Sequence, residues 1–240
     1  MSDSRRRLRV RYSREGRLAY LGQLELIRTI ERCVRRSRLP FSVSKGFSPH
    51  MRIAYSQALP VGTTSAAEYF DLVLEGPVEL PEALASLVSS MPGDIAPDAV
   101  GYVALKEPSL ASWLTRARWQ VDISSEGSIA GLLAALERVA AAPTLSYERA
   151  GRPRTISLST TLASSEVLRT SELEARLELV TRSGDFAGLR PQALVAAAAR
   201  EAATEVFLRT RRCAQWHDEA GAPLDPLDPS LLLAPAVTGL

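Results

Sequence analysis

Apolar and polar positions alternate along residues 8–13 (LRVRYS), the two-residue period of a half-buried strand that turns Arg9 and Arg11 outward. Beyond a turn at Gly16 the period lengthens. At about 100° per residue, Leu26, Ile27, Ile30, Cys33 and Val34 gather on one side of residues 23–37, while Arg28, Arg32, Arg35 and Arg36 gather on the other. That pattern predicts an amphipathic helix with a cationic back. Pro40 ends it, residues 41–44 (FSVS) resume an extended pattern, and residues 45–50 (KGFSPH) make a loop. Residues 51–59 and 68–74 read as strands around a turn at Pro60, Val61 and Gly62. A helix over 80–91, with Pro81 in its first turn, and a strand over 99–105 complete a β-α-β-β-α-β order.

The second half repeats the order without obvious sequence identity. Strands are predicted at 117–124, 144–149, near 155–162, at 173–181 and at 205–216, with helices at 128–142 and 190–202. The expected fold is α+β: two tandem ferredoxin-like (split βαβ) plaits with antiparallel sheets, followed by an irregular C-terminal tail. The expected domains are residues 5–106, basic, and residues 113–216. Residues 106–110, with Pro108, are the candidate linker. Residues 217–240 are rich in Pro, Asp and Leu and read as a mostly unstructured tail, with the alternative that Leu231, Leu232 and Leu233 dock on a hydrophobic groove.

Charge sharpens this picture. The first 55 residues hold fourteen Arg or Lys against four acids, a formal charge of +10, whereas the 240-residue chain is only +2. The remaining residues, with fifteen bases and twenty-three acids, therefore sum to −8. A cationic end of this kind meets polyanions, and nucleic acid leads that class. The plainer account is a solvated basic face in an arginine-rich protein, since Arg supplies 27 of the 29 bases. No apolar run is long enough to span a membrane, and the first ten residues lack the apolar core of a secretory signal, so a cytoplasmic location is expected. With only Cys33 and Cys213, a disulfide framework and a three-cysteine cluster site are both excluded. No cofactor and no metal site is expected, and Cys33 is expected as a buried thiol.

The loop 45–50 carries the densest chemistry. Gly46 permits close approach, Pro49 stiffens the turn, Lys45, Ser48 and His50 supply donors, and Phe47 is free to stack on a base. Equally, Phe47 as a core plug and His50 bonded to a nearby carbonyl would make the loop structural. Tyr12, Tyr20, Tyr55 and Tyr69 fall in the same half as stacking candidates, most of them expected in the core or at its edge. Glu68 with Asp71 and Glu172 with Glu174 lack metal spacing and read as decoration of strands or turns. Arg190, before Pro191 at a predicted helix start, lies where anions are attracted, and His217 sits at the edge of the tail. Phosphate loop, dinucleotide, nucleophile-elbow and two-histidine metal motifs are absent from the sequence.

Residues 11–74 also resemble a bacterial family described as a radical-SAM-linked domain. The landmarks are residues 18–26, with Gln23, Leu24 and Glu25 where the family has His-Leu-Asp; residues 31–40, matching an "ERALRRAGLP" segment; residues 46–50, matching "GFNPHP" with Ser48 for Asn; and residues 58–71, matching "ALPLGVES.gEY.d". The resemblance is close through the first half and looser to about residue 216. It implies a domain that occurs alone or joined to cobalamin-binding radical-SAM proteins, and hence a radical-SAM partner protein.

The leading expectation is an RNA-binding accessory protein for a radical-SAM or other RNA-processing enzyme, with no enzymatic activity of its own. Its contact residues would be Arg9, Arg11, Arg28, Arg32, Arg35, Arg36, Lys45, Phe47, Ser48, His50 and Arg52, and its RNA single-stranded or structured. One alternative is a metal-independent RNA endonuclease similar to the repeat-RNA nucleases of bacterial immunity, with His50 as base, Tyr20 as acid and Lys45 as charge stabiliser. The other is a protein-binding adaptor. A solvent-facing His50 beside Lys45 and Tyr20 would favour an RNA site.

Overall fold

A computed structural model describes residues 4–149, 151–184 and 188–233. They divide into two compact units, the first from the described parts of Met1–Leu114 and His217–Leu240, the second from Thr115–Trp216. Both are mixed α+β, and every pairing described below is antiparallel.

In the first unit β1 (Arg6–Arg14) leads through a short 3-10 turn into α1 (Gln23–Arg36), followed by β2 (Ile53–Tyr55), β3 (Thr64–Leu74), α2 (Leu80–Ser90), β4 (Pro97–Val103) and the single-turn α3 (Leu110–Trp113). β1 pairs with β3 on one side and β4 on the other, and β2 pairs with the far edge of β3, giving the spatial order β4-β1-β3-β2. The strand predicted over 51–59 is reduced to three residues. Met51 instead bridges Val43, and Ser56 N–H donates to the Tyr69 carbonyl as the chain leaves the ladder.

Period two places Leu8, Val10 and Tyr12 of β1 with Phe70, Leu72 and Leu74 of β3, and these meet Leu26, Ile30, Cys33 and Val34 of α1 and Ala83 and Leu87 of α2 in one core. Each such aliphatic side chain, fully buried, contributes about 1.5–3 kcal/mol. The opposite face carries Ala67 and Tyr69, and it is covered as well. Leu110, Trp113 and Leu114 close over it, with the partly buried Leu224, Leu227 and Leu231 packed alongside. Residues 217–233, expected as an irregular tail, thus complete the first unit. β10 (Val206–Glu219) runs on through His217, and residues 217–219 pair with β11 (Ala222–Leu224). Leu233 N–H then donates to the Tyr102 carbonyl at 2.8 Å.

The second unit contains β5 (Arg116–Ser125), α4 (Ile129–Ala141), β6 (Thr144–Arg149), β7 (Arg152–Ser157), α5 (Leu158–Thr161), β8 (Leu162–Arg169), β9 (Glu174–Arg182), α6 (Pro191–Glu201) and most of β10. Its sheet runs β10-β5-β9-β8, and β6 with β7 forms a separate two-stranded hairpin that follows α4 in the chain. The strand predicted near 155–162 is divided between β7 and the one-turn α5. β8 follows it, on a stretch that had no predicted element because its polar, mostly exposed residues 164–166 carry no apolar period.

Candidate nucleic-acid interface

α1 begins where the Gly22 N–H is accepted by the Glu25 carboxylate at 2.8 Å, satisfying one of the orphan donors of a helix start. Its buried residues are Leu26, Ile30, Cys33 and Val34, and Arg28, Arg32, Arg35 and Arg36 are all exposed. Arg35 lies 3.6 Å from Glu31 one turn earlier, and Arg32 donates to the Thr29 hydroxyl at 3.1 Å. The Arg28 and Arg36 guanidiniums have no ion-pair partner among the described residues. Arg35 and Arg36 also sit in the last turn, where the negative end of the helix dipole favours cations. Burial pushes the Cys33 thiol above its ordinary value, so this cysteine is an apolar core residue.

The loop 45–50 is held by a narrow neck. Ser44 N–H donates to the His50 carbonyl at 2.8 Å, and Arg52 N–H to the Ser42 carbonyl at 2.9 Å. The Ser44 hydroxyl lies 2.9 Å from His50 Nδ1 and also accepts the His50 N–H at 3.1 Å, while Nδ1 is 3.3 Å from the Ser48 carbonyl. His50 is therefore solvent-facing yet oriented through Nδ1. Lys45, Ser48 and Arg52 are exposed, and Phe47 is fully exposed at 113%, so it does not plug the core. Gly46, at φ 149°, takes a backbone conformation that other residues rarely adopt.

Lys45, His50 and Arg52 line one wall of a cavity of about 930 Å³ that Arg5, Arg7, Asp71 and Glu107 also line. Tyr20 is not part of it. Its ring is 71% exposed and lies over Gly62. Two of the three residues expected in a nuclease site thus share a cavity, and the third lies elsewhere. Of the other tyrosines, Tyr12 and Tyr69 are buried, and burial raises the Tyr55 and Tyr69 phenols well above their ordinary value.

Arg9 requires a correction. Expected on a solvated basic face, it is 2% exposed. Its Nε donates to Asp71 Oδ1 at 2.8 Å, Nη2 to Asp71 Oδ2 at 3.0 Å and Nη1 to the Pro226 carbonyl at 3.1 Å, while its guanidinium sits 5.2 Å from the Trp113 ring centroid. Arg7 is buried beside it, giving Nε to Asp71 Oδ2 at 2.7 Å and its remaining nitrogens to the Glu107 and Pro108 carbonyls. Asp71 and Glu68 are 2% and 3% exposed, so neither decorates the surface, and Glu68 accepts from the Ser56 hydroxyl at 3.2 Å. The signal that could have found Asp71 is its place as a lone acid in the apolar run 69–74, and in the register it stands opposite Arg9. Arg11, farther along β1, is half-buried and paired at 2.8 Å with Asp98, whose hydrogen bond raises its pKa above the ordinary value. His217 is half-buried, stacked on Trp113 at 4.9 Å with Nδ1 2.7 Å from the Trp113 carbonyl.

Among the described residues no group of three or more His, Cys, Asp or Glu is placed to hold a metal ion, and no described helix is long and apolar enough to cross a membrane.

The molecule is thus an α+β protein whose first unit carries an arginine-faced helix and a loop of exposed cation, aromatic and imidazole groups. It belongs to the family described as an uncharacterized protein conserved in bacteria (DUF2344), whose model matches residues 7–191. No curated protein matches the chain. Among solved structures, the chain is similar to one in a Cbf5-Nop10-Gar1 complex at 9% identity and a TM-score of 0.49, over 89% of this chain and 50% of that one. It is also similar to a chain of an H/ACA RNP bound to a substrate RNA containing 2'-deoxyuridine, at 9% identity and a TM-score of 0.45, over 85% and 46%. A third likeness is to an archaeal box H/ACA sRNP Nop10-Cbf5 complex, at 8% identity and a TM-score of 0.44, over 85% and 46%. The chain spans about half the length of these structures.

Proposed function

We propose that this protein is an RNA-binding accessory factor that grips single-stranded or loop RNA through its first unit and serves a separate RNA-processing enzyme in the cytoplasm. The radical-SAM partner implied by the family resemblance belongs to the same proposal. So does the finer fold: the first unit's strand order, β4-β1-β3-β2, and the second's, β10-β5-β9-β8, are each the order of a split βαβ plait, the second interrupted by the β6–β7 hairpin.

The observation that carries the reading is the set of exposed side chains Arg28, Arg36, Lys45 and Arg52, without ion-pair partners among the described residues, inside a stretch of formal charge +10. Unneutralised guanidiniums and ammoniums bind phosphates by releasing counterions, and an exposed aromatic such as Phe47 adds base stacking of about 1–3 kcal/mol. Arg11, Arg32, Arg35, Ser48 and His50 are further candidate contacts. Arg9 is not among them. The nuclease reading is the weaker one because Tyr20 stands outside the cavity that Lys45 and His50 line.

Filter binding with a single-stranded RNA in EDTA tests the proposal. Affinity is expected to fall steeply between about 50 and 200 mM salt, and the RNA is expected to be recovered intact. Absence of binding at the lower salt sinks the proposal. Cleavage in EDTA that is lost with His50→Ala replaces it with the endonuclease.

A further inference from the structure

The second unit, residues 115–216, holds fourteen Arg against eleven acids, and three of those arginines crowd into the β6–β7 hairpin. Its register pairs Leu145 with Ile156, Tyr147 with Arg154, Glu148 with Pro153 and Arg149 with Arg152. Alternation puts Leu145, Tyr147 and Arg149 on one face together with Ile156, Arg154 and Arg152, and it puts Glu148 and Pro153 on the other. Leu145 and Ile156 are buried and anchor the hairpin's base, and outward from them the same face carries a half-buried tyrosine and three exposed arginines.

Arg149 stands directly opposite Arg152, an arrangement of like charges that destabilises a ribbon when nothing lies between them. Arg190, at the start of α6, adds a fourth cation. Burial lowers its pKa below the ordinary value, and the nearby Arg149 charge lowers it further. Among the described residues no carboxylate pairs with any of the four.

We propose that this face of the hairpin is a second nucleic-acid contact, in which Arg149, Arg152 and Arg154 hold the phosphate backbone of an RNA and Tyr147 lies beside it. Phosphates between the opposed guanidiniums replace repulsion with forked, charge-assisted hydrogen bonds. The inference rests on the RNA-binding reading above and deepens it: the ligand is an RNA long enough to be held by both units, each through its own basic patch.

The test uses the full chain and a transcribed stem-loop RNA with single-stranded flanks, with affinity measured across a salt series. The triple variant Arg149→Gln, Arg152→Gln, Arg154→Gln is expected to bind more weakly and to reduce the slope of log affinity against log salt by about 2, since each lost phosphate contact removes about 0.7. The corresponding triple Lys variant is expected to keep most of the slope. Should the Gln triple melt early, Arg152→Gln alone decides, with an expected slope loss of about 0.7. An unchanged slope and affinity in a folded hairpin variant, with loss only on replacing Arg28, Arg32 and Arg35, overturns this inference and leaves the first-unit reading standing. Failure of the native chain to bind at low salt overturns both. A poly-glutamate peptide that competes with the RNA as well as an RNA of equal charge also overturns it, since the partner is then an acidic protein.

Discussion

A carboxylate on the neighbouring strand draws Arg7 and Arg9 out of solvent. Asp71 spends both oxygens on these two guanidiniums, and the carbonyls of Glu107, Pro108 and Pro226 take up donors that remain. Burying three charges is tolerable only because every one of them is bonded, and removing one member leaves the others uncompensated. Asp71→Asn is therefore expected to lower stability by about 3–5 kcal/mol, read as a shift of the urea unfolding midpoint. A change under about 1 kcal/mol would mean that water reaches the cluster and that the guanidiniums are solvated after all. Alternation over 8–13 correctly separates Leu8 and Val10 from Arg9 and Arg11, but it does not say what covers the arginine side. The cover comes from residues about one hundred and two hundred positions away, and no local period records that.

α1 is the element most legible from sequence, because its two faces differ so sharply that the apolar stripe and the four arginines can be read at helical spacing. Its boundaries in the structure, Gln23–Arg36, stop one residue short of the predicted end. Replacing Arg28, Arg32 and Arg35 with Gln is expected to leave stability within about 0.5 kcal/mol for each site, because the Glu31–Arg35 contact is an exposed pair of little worth. RNA affinity is expected to fall, with a shallower salt slope. A large loss of melting temperature in the same variant would show that the arginines hold the fold. The loop 45–50 was legible as a loop with donors, but the bonding of Ser44 to His50, which orients the imidazole, was not, since serine at that position carries no motif. β8 was missed for the opposite reason, being a sheet strand with too little apolar alternation to announce itself.

At the scale of the molecule, the first unit is assembled from two separated stretches of chain. Gly101 on β4 marks how closely they meet: a side chain there would bring its Cβ within 2.6 Å of Leu232 Cδ2 and 3.2 Å of Leu227 Cδ2. Gly101→Val is expected to displace residues 225–233 while the α1 and α2 side of the unit stays folded. Limited proteolysis should then clip this segment faster and Trp113 fluorescence should report greater exposure, whereas an unchanged clipping rate would show that the segment accommodates the branch in place. Of residues 217–240, those beyond 233 lie outside the described residues; within 217–233, Pro and Asp mark irregular backbone, and irregular backbone can still bury the leucines it carries, which is the alternative of docking leucines.

The interleaving of the units has a consequence for the order in which the protein comes into being. As the chain leaves the ribosome, β1, α1, β3 and α2 emerge early and can collapse on one another, but the face bearing Arg9, Tyr69 and Trp113 waits for Pro226 and the leucines beyond it, which arrive only after the entire second unit has been made. During that interval a half-covered sheet and a charge cluster lacking one of its carbonyl partners stand open to water and to other nascent chains. Translation of residues 217–233 therefore completes the protein's first unit, and slow growth or early termination there would release a molecule whose second unit is sound and whose first unit is unfinished.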